Sequence, residues 1–209
     1  MKQTREGLLL VVSGPAGVGK GSINQALIQR NSDIRMSVSA TTRSPRPGEI
    51  NGVHYFVKTE EEFKKMIDEG AFLEYMRVFN THYYGTPKSF VEQELKEGRS
   101  VVLEIDVQGA MRVKAAYPDA VLIFIAPPSM SELKTRLIGR GTESAEAVER
   151  RFETAYKELD YVKEYDYVVV NDILDLAIAR VEHILSAERC RSVRNGELIE
   201  KLMGGRSEL

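Results

Sequence analysis

The residues of this 209-residue chain best suited to chemistry are Gly14, Pro15, Ala16, Gly17, Val18, Gly19 and Lys20, followed by Gly21 and Ser22. Spaced as G-x-x-x-x-G-K, they form a turn whose backbone N–H groups converge on an anion while the lysine adds a mobile positive charge. The glycines permit the positive φ angles and close backbone approach that such a cradle requires. An apolar run at 8–12 precedes the loop and helix-like spacing at 23–29 follows it, so the order predicted is buried strand, phosphate-binding loop, helix. Position 21 is Gly, where the strict motif carries Ser or Thr, and Ser22 comes one place later. The loop implies a nucleotide phosphate and leaves a magnesium ion without its usual neighbouring hydroxyl.

A second group lies in SVSATTRSPRPGE at 37–49, where Arg43 and Arg46 flank a proline in a segment too rich in Ser, Thr and Pro for a helix. Two planar guanidinium groups at that spacing suit a bidentate clamp on a phosphate, although a solvated turn has the same composition. NGVHY at 51–55 and HYYGT at 82–86 add phenols and hydroxyls that complete such a site. Glu74 stands alone in the apolar FLEY at 72–75, a pattern that by itself fits a strand with one acid on its solvent face. Glu104 and Asp106 alternate at the end of an apolar strand, which places them on one face. Arg136 and Arg140 are four apart and share a helical face, with Arg151 on the next helical segment. By themselves such arginines read more readily as a solvated surface.

The elements that must position these groups follow from hydrophobic patterning. Apolar, β-rich runs recur at 8–13, 53–57, 71–79, 100–106, 120–126 and 166–170, separated by segments of helical spacing. Thr59 with Glu62 forms a capping box for a helix at 60–69, Ser129 with Glu132 opens another, and Gly98 closes the one from 88 to 97. Strands alternating with helices predict a parallel α/β sheet with its ligands at the carboxyl ends of the strands. Two regions break the alternation: 37–86, read as a small inserted lobe, and 136–152, an arginine-dense segment with Gly139, Gly141 and Thr142 between two helices, read as a lid. The charged tail at 191–209 reads as a short helix.

Composition narrows the class. With 43% hydrophobic residues the chain can bury a sizeable core, and its net charge of −2 speaks against a general nucleic-acid binder. The lone cysteine, Cys190, cannot form an internal disulfide, no run approaches the length of a membrane span, and residues 1–7 lack a signal-peptide core. A cytoplasmic protein is expected. Nothing in the pattern separates a monomer from a homo-oligomer.

Taken together, GPAGVGKG at 14–21, SATTRSPRPGE at 39–49, YYGT at 83–86, EIDVQG at 104–109 and IAPPS at 125–129 occur in the order found in guanylate kinases of bacterial type. The resemblance spans residues 7–188. It implies a P-loop NTPase-type parallel sheet flanked by helices, with an inserted GMP-binding lobe and a helical lid. The core would be 7–36, 87–135 and 153–190, the lobe 37–86 and the lid 136–152. It implies Mg²⁺-dependent transfer of the ATP γ-phosphoryl group to GMP, with both nucleotides as small-molecule partners and neither nucleic acid nor membrane. Arg43, Arg46, Tyr55 and Tyr84 would hold the GMP phosphate, with Ser39, Glu74 and Thr86 reading the guanine. Asp106 would lie near the GMP ribose or base and the magnesium shell, with Glu104 nearby or, equally, in a structural ion pair. Arg136, Arg140 and Arg151 would meet the ATP phosphates, and Asn171 would lie near the adenine. Magnesium would be held by phosphates, water and Ser22. A sugar-phosphate kinase has no need for Ser39, Glu74 and Thr86 together. Other nucleoside monophosphate kinases lack the Arg43–Arg46 segment, and non-enzymatic scaffold modules typically lose the loop lysine or the lid arginines.

Overall fold

The computed structural model of the chain describes residues 6–78, 81–139 and 145–204. In chain order the elements are β1 (Leu9–Ser13), α1 (Lys20–Arg30), β2 (Ile34–Met36), β3 (Ala40–Thr41), β4 (Phe56–Val57), α2 (Glu60–Asp68), β5 (Phe72–Val78) and β6 (His82–Pro87). They continue with α3 (Lys88–Lys96), β7 (Ser100–Glu104), α4 (Val107–Ala116), β8 (Val121–Ala126), α5 (Met130–Gly139), α6 (Ala145–Leu159), β9 (Tyr167–Val170), α7 (Leu174–Cys190) and α8 (Gly196–Gly204).

Five strands form one parallel sheet in the order β2-β7-β1-β8-β9. Its strands are apolar on both faces because both faces are covered. Leu10 and Val12 of β1 pack with Val121, Ile123 and Ile125 of β8 against Ile23 and Leu27 of α1, Leu133 of α5 and Val181 of α7. The intervening Leu9, Val11, Leu122 and Phe124 pack against Val91 of α3 and Val107, Ala110 and Val113 of α4. An uninterrupted hydrophobic run is therefore the sequence signature of this position in the sheet. The carboxyl ends of β1, β7, β8 and β9 lead to Gly14, Ile105, Pro127 and Asn171 respectively, so one edge of the sheet gathers four of the candidate segments.

A second, four-stranded sheet has the order β4-β3-β6-β5, with β5 and β6 antiparallel. Its own small core is a run of rings: Phe63 of α2 stacks on Phe72 at 4.4 Å and on Tyr83 at 5.3 Å between centroids. Helix α2 starts at the expected capping box, with Glu62 N–H donating to Thr59 Oγ1 (3.1 Å) and Thr59 N–H donating to Glu62 Oε2 (2.8 Å). Ser129 Oγ likewise accepts from Glu132 N–H at 3.1 Å, as its spacing predicted.

Differences from the sequence reading are local. The run at 53–57 is a strand only over Phe56–Val57, because residues 50–55 close a turn in which Gly52 N–H donates to Tyr55 O. The strand expected through 106 stops at Glu104, since Asp106 caps α4 by accepting Gly109 N–H at 2.7 Å. Asp106 thus does not share a strand face with Glu104. Strands β2, β3 and β6 escape the reading: two are too short to show alternation, and β6 is HYYGTP, rich in turn formers but paired along its length by β5. Helix α8 forms within the charged tail. Among the described residues, no helix is long and apolar enough to cross a membrane.

Candidate active site

The loop after β1 is closed by its own lysine. Lys20 Nζ donates to the carbonyls of Gly14 (2.5 Å) and Pro15 (3.2 Å), which folds residues 14–20 around the ammonium group. Two glycines are demanded by geometry. At Gly14, with φ of 140°, a Cβ would stand 2.2 Å from the Ile125 carbonyl oxygen; at Gly19, with φ of 97°, it would stand 2.5 Å from Asn171 Nδ2. Helix α1 begins at Lys20, so its unpaired N–H groups open toward the loop and favour an anion there. Pro15 and Val18 are buried, whereas Gly21 and Ser22 are exposed at the start of α1.

Beside this loop, between the carboxyl end of the five-stranded sheet and the second sheet, lie two adjoining cavities. One, of about 320 Å³, is bordered by Ser37, Ser39, Tyr55, Thr86 and Glu104. The other, of about 240 Å³, is bordered by Ser39, Tyr55, Glu74, Tyr84, Glu104 and Asp106. The structure therefore brings Ser39, Tyr55, Glu74, Tyr84, Thr86 and Asp106 to one cleft. Glu104 borders both cavities and accepts from Asn24 Nδ2 of α1 at 2.9 Å; its Oε2 is 3.9 Å from where a Gly21 Cβ would stand. The cleft and the phosphate loop meet at that carboxylate.

Glu74 is 7% exposed. A register shift in the β5–β6 ladder between Phe72 and Glu74 turns consecutive side chains inward at that point, which explains how an acid in an apolar run escapes the solvent face. Its Oε1 accepts from Thr86 Oγ1 at 2.9 Å, and its Oε2 is 3.8 Å from the Arg112 guanidinium of α4. Burial pushes its carboxyl above the usual range; the Thr86 hydroxyl and Arg112 pull the other way, and the Asp106 charge adds to the rise.

Arg43 contacts two residues that border the cleft, Tyr84 and Tyr55. It donates from Nε to Tyr84 Oη at 3.1 Å and from Nη2 to both Glu49 oxygens at 2.8–2.9 Å, and it stands 5.4 Å over the Tyr55 ring. Hydrogen bonding to Glu49 is the largest of several influences that hold its guanidinium above the ordinary value. Glu49 also accepts the Arg46 N–H at 2.8 Å, which with the Arg43 pair holds its carboxyl below the usual range. The Arg46 side chain is exposed. Both Glu49 oxygens thus share one nitrogen of the Arg43 guanidinium, as an anion's oxygens can.

Arg136 of α5 donates to Glu132 Oε1 and to the Asn171 carbonyl, both at 3.1 Å. Arg151 is exposed on α6, a helix tied to α5 by the Lys134–Glu149 pair at 2.9 Å. Arg140 lies outside the described residues. Asn171 is buried, its amide turned beneath the loop to donate to Val18 O at 2.8 Å. Among the described residues, no group of three His, Cys, Asp or Glu side chains is placed to hold a metal ion. Ser22 at the start of α1 and the Glu104 carboxylate, 3.9 Å from a Cβ built at Gly21, offer a sparse hard-oxygen set that fits a magnesium ion carried in on nucleotide phosphates.

Sequence reasoning passed over Glu49, Asn24 and Arg112. Glu49 had a signal, an acid three residues after Arg46 across a Pro-Gly turn. Asn24 and Arg112 had none, because their partners are 80 and 38 positions away along the chain.

A glycine loop between β1 and α1 in a parallel sheet, beside a cleft with a buried acid, defines a P-loop nucleotide-binding α/β protein. Comparison with known proteins specifies the family. The family model for guanylate kinase matches residues 6–188, and the chain belongs to that family. It is 54% identical to a guanylate kinase of Caldanaerobacter subterraneus subsp. tengcongensis, over 97% of this chain and 98% of that one. It is 50% identical to a guanylate kinase of Desulfitobacterium hafniense, over 92% and 96% of the two chains. The crystal structure of guanylate kinase from Anaplasma phagocytophilum superposes with a TM-score of 0.72 at 33% identity, covering 91% of this chain and 90% of that one.

Proposed function

We propose that this chain is an ATP:GMP phosphotransferase, and that the observation carrying the reading is the buried Glu74 carboxylate hydrogen-bonded to Thr86 in a cleft beside a phosphate loop. An ionised carboxylate there accepts from guanine N1–H and the exocyclic amine together. Adenine has no donor on that edge, so AMP would leave a buried charge unpaired. Ser39 and Thr86 add hydroxyls to the guanine site, and Asp106 lies toward the ribose. The acceptor phosphate docks against Arg43, Arg46, Tyr55 and Tyr84, drawing the Arg43 fork from Glu49.

ATP lies on the 14–22 loop, its outer phosphates exchanging for the Gly14 and Pro15 carbonyls as partners of Lys20. Ser22, with the phosphates and water, would hold Mg²⁺, which neutralises charge on the transferring group. Phosphoryl transfer requires mainly positioning and charge neutralisation. Arg136, Arg140 and Arg151 supply the latter as residues 136–152 close over the donor, and closure excludes the water that would otherwise take the phosphoryl group. The acceptor oxygen belongs to an ionised phosphate, so no strong general base is required. The segments 37–86 and 136–152 act as acceptor lobe and lid, and the enzyme works on free nucleotides in the cytoplasm.

Direct product analysis tests this reading. ADP and GDP should form in equal amounts from ATP and GMP with Mg²⁺ present, and neither should form when Mg²⁺ is chelated. ADP without GDP would contradict it.

A further inference from the structure

We infer that Asn171 is a positioning residue of the donor site: its side-chain amide clamps the phosphate loop from below, and its backbone gives Arg136 a fixed seat. The inference rests on the kinase reading above and adds a residue that acts through the loop.

The geometry is specific. Asn171 follows β9 and extends its ladder by one bond, its N–H donating to Ala126 O at 2.9 Å, so its backbone is fixed to the sheet. It is 5% exposed, and its Nδ2 donates to Val18 O at 2.8 Å across 153 residues of chain. Val18 O lies in the middle of the cradle, one peptide before Gly19. The absence of a Cβ at Gly19 is what lets the amide in, since that atom would stand 2.5 Å from Nδ2. On the other side, Leu133 and Leu137 of α5 pack against Gly17, with Leu137 Cδ2 2.9 Å from a Cβ built there. The loop is therefore held between an apolar contact from α5 and a hydrogen bond from the end of the sheet. The Asn171 carbonyl accepts from Arg136 Nη1 at 3.1 Å. One residue thus references both the loop and the α5 arginine to the same rigid strand end, which is what alignment of the donor phosphates requires.

A clamp on the loop and a contact to the adenine make different demands, and Asn171→Leu separates them. The variant keeps the side-chain size and removes the donor to Val18 O, leaving that buried carbonyl unsatisfied. Binding of ATP and of CTP, read by displacement of a fluorescent nucleotide, should weaken by the same factor of about ten. The KM for GMP and the GMP-induced rise in melting temperature should stay unchanged, which also shows that the variant is folded and that its acceptor site is intact. Hydrogen exchange should quicken in a peptide covering 14–22 and not in one covering 82–87. Weakening confined to ATP, with CTP binding as in the parent, would overturn the proposal in favour of adenine recognition, and unchanged loop exchange would overturn it outright. If Asn171→Leu does not fold, a double-mutant cycle reads the same contact. Gly19→Ala should weaken ATP binding less in an Asn171→Ala background than in the parent, because the strain of its φ is common to both and the collision with Nδ2 is not. Equal losses in the two backgrounds would contradict the clamp. Absence of GDP formation by the parent itself would instead overturn the kinase reading and leave the loop contact standing.

Discussion

Burial raises the Glu74 carboxyl above the ordinary carboxylate range, against the Thr86 hydroxyl and the Arg112 guanidinium, which favour the anion. Two consequences of opposite sign follow. In the proposed guanine site the ionised form is the acceptor, so the KM for GMP should climb as pH falls, beginning at a higher pH than an exposed glutamate would give; a KM flat down to the ordinary glutamate range would contradict this. Stability runs the other way. Between the ordinary value and the raised one, the folded chain binds more protons than the unfolded chain, so stability falls as pH rises through that window and the penalty is complete above it. Glu74→Gln should therefore melt at a higher temperature than the parent near neutral pH without substrate, while losing acceptor selectivity. Scanning calorimetry with no nucleotide present checks it, and a lower melting temperature would argue that the Glu74–Arg112 pair outweighs desolvation. From the sequence alone Glu74 was an acid in an apolar run, and only the family pattern marked it. Its inward turn depends on the register shift at Phe72/Glu74 and on the cover supplied by α4, neither of which leaves a local trace.

Among the elements, the second sheet matters most for the proposed acceptor site, because β5 and β6 carry Glu74, Tyr84 and Thr86 on strands too few to form a core of their own. Helix α2 supplies that core through Phe63, fully buried between Phe72 and Tyr83. Phe63→Ala should cost about 3–5 kcal/mol of stability in urea titration and raise the KM for GMP more than that for ATP. An equal rise in both would mean that the two sites do not rest on separate supports. Thr59→Ala removes the cap at the start of α2 and should cost only about 1 kcal/mol. The capping box was legible in the sequence because it is a local pattern with reciprocal hydrogen bonds. The short β2 and β3 were not: a strand of two or three residues is defined by what pairs with it, and Ala40 and Thr41 are strand because Phe56 and Val57 lie on one side and Gly85 and Tyr84 on the other.

On the scale of the whole molecule, the parallel sheet was readable because its central strands are covered on both sides and so carry unbroken apolar runs. The meeting of loop and cleft was not, since it depends on Glu104 bridging toward α1 across elements far apart in sequence. In the proposed function that meeting point would set donor and acceptor phosphates on either side of one sheet edge, and ligands should stabilise the fold through it. GMP at about 100 times its Kd should add about 2.7 kcal/mol by mass action alone. If a buried carboxylate beside a phosphate loop makes this chain a guanine-selective kinase, its choice between two acceptors must depend on Glu74. Phosphorylation of GMP and AMP by ATP is followed in parallel for the parent and Glu74→Gln. The parent should prefer GMP on the order of 10⁴-fold in kcat/KM, a preference that collapses in the variant chiefly through loss of GMP phosphorylation. Equal use of GMP and AMP by the parent, or an undiminished preference in Glu74→Gln, would contradict it.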